Sequence, residues 1–231
     1  MAAKKSEIVF LHDFDGNFGE TDAHVATWLP KGSRQVCVSL AFVYIFDPFP
    51  SMREYIENLV DGTVTIASNK SVANAARWQF DEGYDVRIVS SRKRDLKSVK
   101  KVLKNENLEH LPVELVGDNK MAWMREFEQK NPDIGTVLSD DSYREAWTSV
   151  KVFGPHNPQV VLTLNGHNSF SVRRPPVFTA SLEDDGTLLY KAMRKNAMAH
   201  LSGHFENLQR DKATLAAVHG TVSVSQPVRL K

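Results

Sequence analysis

Short apolar runs alternate with amphipathic segments along the first 150 residues of this 231-residue chain, and that alternation leaves few folds open. Strands are read at 7–12, Asp85–Ser90, Val113–Val116 and Thr136–Ser139. Helical spacing fills the intervals at about Ser71 to Glu82, stopping at Gly83, then at Asp95–Leu103 and Asn119–Gln129. Parallel neighbours need a crossover of helix length, so strands spaced this way pair in parallel. We expect an α/β fold, an open parallel sheet with helices on both faces, plus a small α+β C-terminal extension.

Two segments fall outside the alternation. From about residue 22 to 65 the chain is longer than a minimal core needs. It contains a turn at Pro30-Lys31-Gly32-Ser33, a strand at Val36–Phe46 and a short helix Met52–Val60 capped by Ser51. We expect a small cap over the sheet edge there, with Trp28, Phe42, Tyr44 and Phe46 used in packing. A boundary is expected near Pro155–Pro158, dividing a core of residues 1–153 from an accessory region of residues 154–231. In that region Val160–Leu164, Val177–Leu182 and Thr187–Lys191 read as strands. The last two are expected to be joined by a Glu183-Asp184-Asp185-Gly186 hairpin turn, followed by a helix from Met198 to Val218 and a strand near Thr221–Val224.

Composition excludes several classes. With 42% hydrophobic residues, 25% charged and a net charge of +1, the chain has the make-up of a soluble globular protein, and no global basicity points to nucleic acid. The lone Cys37 rules out an intramolecular disulfide. No apolar run is long enough to span a bilayer, and Met-Ala-Ala-Lys-Lys leads at once into the first strand without the pattern of a signal peptide. A cytoplasmic location is expected. The stretch from Lys151 to Lys231 is basic, with ten Lys or Arg against five Asp or Glu.

The chemistry concentrates where apolar strands end. Ile8-Val9-Phe10-Leu11-His12 runs into Asp13-Phe14-Asp15-Gly16, Val86–Val89 into Ser90-Ser91-Arg92, and Thr136–Ser139 into Asp140-Asp141, while Lys120 opens a helix. In a parallel sheet these ends share one edge. Close carboxylates repel unless a cation or a shared proton relieves them, and Mg2+ suits an all-oxygen site. Together the groups supply what phosphoryl transfer needs: a carboxylate nucleophile, a second carboxylate for proton transfer, acids for the metal, and a hydroxyl and an ammonium for phosphate oxygens.

The order and setting of these residues over about 6–150 resemble the haloacid dehalogenase-like superfamily of aspartate-nucleophile phosphohydrolases. Ile88-Val89-Ser90-Ser91-Arg92, Lys120-Met121-Ala122-Trp123 and Ser139-Asp140-Asp141-Ser142 look most like its branch of RNA-repair and polynucleotide-end phosphatases. The resemblance implies Asp13 as nucleophile and Asp15 as general acid and base. Ser90 and Lys120 would bind phosphate, and Mg2+ would be held by Asp13, the Asp15 carbonyl, and Asp140 or Asp141. Lys130 is the alternative lysine. Two positions depart from the pattern: Asn17 stands where the family usually has Thr or Val, and Ser91 where many of that branch have Gly.

The expected partner is a phosphorylated substrate, with a nucleotide or nucleic-acid end as the narrower reading, since Arg92 and Arg94 place positive charge beside the site. The competing reading is a silent binding or structural module that contacts nucleic acid or a protein through the basic C-terminal region. Retention of both Asp13 and Asp15 speaks against it, because a scaffold has no need of two repelling carboxylates. His200 and His204, spaced i and i+4, are read as surface or packing residues because no Glu of the zinc-protease pattern and no Cys accompanies them.

Overall fold

Every residue from Ile8 to Asp13 is buried, so the first strand needs cover on both faces and belongs in the middle of a sheet. The structure, a computed structural model, describes residues 7–21, 66–92, 96–117, 119–153, 159–164, 178–182 and 184–199. Within them β1 (Ile8–Asp13) leads, across the undescribed 22–65, to α1 (Lys70–Asp81), β2 (Asp85–Ser90), α2 (Leu96–Asn105), β3 (Val113–Leu115), α3 (Lys120–Lys130), β4 (Gly135–Asp140), α4 (Tyr143–Phe153), β5 (Val160–Leu164) and β6 (Phe178–Ser181). A helix over 187–199, α5, follows. The expected cap with its strand Val36–Phe46 and helix Met52–Val60, Arg94, His200, His204, the tail beyond residue 199 and its strand near Thr221–Val224 lie outside the described residues.

The six strands form one sheet in the order β3-β2-β1-β4-β5-β6, with every pairing parallel. The α/β open parallel sheet expected from the alternation is therefore what forms. Side chains alternate across each strand, and the two faces bury different sets. Ile8 and Phe10 pack with Val72, Ala76, Val99, Leu103 and Met193 on the side of α1, α2 and α5. Val9 and Leu11 pack with Met121, Met124 and Ala146 on the side of α3 and α4. The chain moves outward from β1 through β2 to β3, then returns to start again at β4. The crevice at the carboxyl ends of β1 and β4 is thus the topological switch point, where such sheets bind ligands.

The sheet runs past residue 153, since β5 and β6 of the region read as accessory extend it beyond β4. The expected hairpin there is corrected. β6 lies parallel to β5, and the segment 187–191 is helical. The acidic turn caps that helix: Asp185 Oδ1 accepts from Thr187 N at 3.0 Å, and Asp184 Oδ2 from Leu188 N at 2.9 Å. Gly186, at φ 103°, sits where an added Cβ would lie 2.3 Å from the Ser71 carbonyl oxygen, so the turn seats against the start of α1. Leu189, Met193 and Ala197 are all buried at helical spacing, a period that a five-residue window ending at Lys191 does not contain.

Candidate active site

Asp13 is the last residue of β1, and the chain after it is held by its own backbone. Phe18 N donates to the Asp13 carbonyl at 3.1 Å and Gly19 N to the Phe14 carbonyl at 2.7 Å. Gly16 takes φ 77°, which the tight turn requires and which glycine adopts without strain. Phe14 and Phe18 are fully buried and pin the loop to the core. The apolar residue between the two aspartates thus anchors the turn and leaves the carboxylates at its mouth.

In register, Asp13 lies beside Val89, the residue before Ser90, and His12 lies beside Ser139, the residue before Asp140. The three strand ends are therefore level, and residues up to 127 positions apart meet. Lys120, the first residue of α3, reaches Asp13 Oδ1 at 2.6 Å and Asp140 Oδ2 at 2.8 Å with 5% of its side chain exposed. Lys130 is 70% exposed and pairs with Glu126 one turn away. Of the two candidate lysines, only Lys120 stands in the site.

Two buried carboxylates share one ammonium. Burial alone would pull Lys120 down, but Asp13 and Asp140 outweigh it and raise its pKa, so it stays charged. Burial pushes the Asp13 carboxyl well up; Lys120 opposes this, while Asp140 and Asp15 add to it. Both shifts have one cause: the buried carboxylates bring more negative charge than Lys120 offsets.

Asp13, Asp140 and Asp141 each offer an oxygen, and these oxygens lie within 4.8 Å of one another. Three carboxylate oxygens set against a single ammonium make a donor set that fits a hard divalent cation such as Mg2+. Asp140 Oδ1 is turned by the Ser142 N–H, 2.8 Å away, which orients the carboxylate toward the group. Half-buried Glu145, whose carboxyl is raised by burial and then by Asp140, adds to the local negative field.

The Asp15 carboxylate stands apart from that cluster. Arg92 grips it in a fork, Nη2 to Oδ1 at 2.7 Å and Nε to Oδ2 at 2.9 Å, while Ser90 Oγ and Thr21 Oγ1 donate at 3.3 and 3.1 Å. Arg92 lies over the Phe14 ring with 5.0 Å to its centroid and donates to Ser98 Oγ at 2.9 Å. Its guanidinium is therefore inside the site, against Asp15. Thr21, Ser98 and the buried His12 and Gln79 were not foreseen, and Asn17 was noted only as a departure from the family pattern; of the rest, only His12, polar within an apolar strand, carried a signal.

Asp13, Asp15, Ser90, Lys120 and Asp140 thus meet at one edge of the sheet. No protein-family model matches the chain, and no curated protein matches it in sequence. Among solved structures it is similar to a protein described as a haloacid dehalogenase-like hydrolase from Burkholderia xenovorans LB400, at 15% identity over 80% of this chain and 98% of that one, with a TM-score of 0.49. It is similar also to one assigned as a β-phosphoglucomutase from Thermotoga maritima, at 11% identity over 79% and 98% of the two chains, TM-score 0.48. A third is the HAD domain of the effector protein Lem4 from Legionella pneumophila, at 14% identity over 88% and 98%, TM-score 0.43.

Proposed function

We propose that the protein is a haloacid dehalogenase-like phosphohydrolase, dependent on Mg2+, that cleaves a phosphomonoester through an aspartyl-phosphate. The observation that carries this reading is the pairing of Asp13 and Asp140 around Lys120 at the switch point of the sheet. Asp13, Asp140 and Asp141 would hold the cation with the Asp15 carbonyl. When bound, it supplies charge neutralisation that lets an anionic nucleophile approach an anionic phosphate.

The chain's own groups account for the two steps. An Asp13 carboxylate oxygen attacks phosphorus, the bond from phosphorus to the leaving oxygen breaks, and Asp15 delivers a proton to that oxygen. Asp15 then takes a proton from water as the water attacks phosphorus, the bond to Asp13 breaks and orthophosphate departs. Lys120 and Ser90 stabilise the phosphoryl oxygens. Arg92 holds the Asp15 carboxylate in place and sets its guanidinium beside the phosphoryl oxygens.

For the narrower substrate class we propose a nucleotide or nucleic-acid end. α2 begins four residues after Arg92 and contains four lysines and no acid, with Lys97, Lys101 and Lys104 exposed along one face. Lys97 sits in the first turn, where positive charge opposes the helix dipole, so helix stability does not account for it. It supports a substrate that continues as a polyanion.

Phosphate release from p-nitrophenyl phosphate and from 3′- or 5′-phosphorylated oligonucleotides tests both levels. Turnover is expected with Mg2+, to cease with EDTA, and to be abolished in Asp13→Asn while the fold persists. Undiminished turnover in Asp13→Asn would sink the mechanism.

A further inference from the structure

Behind the carboxylates, on the opposite face of the sheet, lies a continuous buried chain of polar side chains that the proposed reaction does not use. Asn17 Nδ2 donates to the Ser139 carbonyl at 2.9 Å and to Ser139 Oγ at 2.9 Å, and Asn17 Oδ1 accepts from Thr163 Oγ1 at 3.1 Å. Ser139 Oγ is 2.8 Å from His12 Nδ1, and His12 Nε2 is 2.8 Å from Gln79 Oε1. Gln79 Oε1 can only accept, so the neutral His12 carries its proton on Nε2, and its bare Nδ1 takes the single proton of Ser139 Oγ. All five side chains belong to buried residues.

The ladder between β1 and β4 ends at the pair His12 and Ser139. Asp13 and Asp140 lie one residue beyond it, repelling each other, with no ladder partner across that gap. Lys120 bridges the two carboxylates on one face of the sheet, and Asn17 adds a tie through the backbone on the other. One side chain joins the loop after β1 to the ends of β4 and β5, and its contact on β4 is the carbonyl of the residue before Asp140. A Thr or Val at position 17 has no amide with two donors and one acceptor, so it cannot make all three bonds.

We propose that Asn17 is a positioning residue for the cation site, setting the distance between Asp13 and Asp140 through Ser139. This rests on the reading of those aspartates as cation ligands. Groups that orient metal ligands are typically worth ~10- to 100-fold in metal affinity.

The test is Mn2+ binding to the full chain, followed by the electron paramagnetic resonance of free Mn2+, which needs no turnover. Asn17→Ala is expected to weaken binding by about tenfold or more. Gln79→Leu, which damages the far end of the same buried chain, is expected to lower the melting temperature and leave Mn2+ affinity unchanged. Folded Asn17→Ala that binds Mn2+ as the natural chain does would overturn the proposal. If Asn17→Ala does not fold, Asn17→Thr and Thr163→Val take its place, and unchanged affinity in both overturns it equally. Asp13→Asn and Asp140→Asn separate the levels: a natural chain that binds Mn2+ no better than these two refutes the cation reading itself, and this inference with it.

Discussion

Replacing Lys120 by Met keeps the length and packing of the stem and removes the charge that two buried carboxylates share. Lys120 Nζ is 2.6 Å from Asp13 and 2.8 Å from Asp140, and the side chains are 5% exposed or less. Removing one member of a buried ion pair costs roughly 3–5 kcal/mol, because the partner is left charged without compensation. For a chain of this size ~1 kcal/mol moves the melting temperature by about 2–4 °C, so a fall of roughly 6–20 °C is expected in EDTA. The loss depends on pH in a definite direction. Burial and the neighbouring carboxylates raise the Asp13 pKa in the fold, and without Lys120 they act unopposed. A carboxyl with a raised pKa stabilises the fold while protonated, and that contribution is lost as pH rises through its folded value. The deficit of Lys120→Met is therefore larger at pH 8 than at pH 5, and added Mg2+ stabilises the variant more than the natural chain. Urea unfolding at both pH values, with EDTA or Mg2+, measures all of this. A variant as stable as the natural chain at pH 8 in EDTA would refute the argument that the two carboxylates are uncompensated, and an equal deficit at both pH values would refute its electrostatic origin.

Other consequences are open to measurement. Burial lowers the His12 pKa from 6.5 to about 4 although Gln79 opposes the shift, so between those values the unfolded chain binds the extra proton and stability falls as pH falls. The window is worth about 3 kcal/mol, and urea midpoints of His12→Asn followed from pH 7 to pH 4 should lack that slope. Arg92→Gln removes the fork that holds Asp15 and a donor for the phosphoryl group; kcat/KM for p-nitrophenyl phosphate is expected to fall ~100-fold, and an unchanged value would place Arg92 outside the reaction. Asp184→Ala deletes bonds to Gly186 N and Leu188 N at the start of α5 and is expected to cost about 1 kcal/mol in thermal unfolding, with no such cost if the turn is a hairpin.

Much of the site was legible because its residues carry local signals. An apolar run that stops at a polar residue marks a strand end wherever the strand goes, and Asp13, Ser90 and Asp140 each follow one. Lys120 and Lys130 had none, since a lysine on a helix reads the same at either end. Burial of the first and exposure of the second followed only once α3 was laid against β4. Arg92 read as a steering charge because its target, Asp15, is 77 positions away in the chain. The acidic turn at 183–186 misled for the opposite reason: its local signal was strong but fits a hairpin and a helix cap alike, and the buried positions that decide between them, Met193 and Ala197, come later.

The amino-acid sequence by itself determined the parallel α/β class and the strand ends that carry the candidate residues, because hydrophobic period and turn residues act over a few positions. The tertiary structure alone decided which lysine joins Asp13 and Asp140, that Arg92 grips Asp15, and that Asn17 ties three strand ends together. Those choices depend on strand order and register, which bring distant residues within hydrogen-bond reach and which no local pattern encodes.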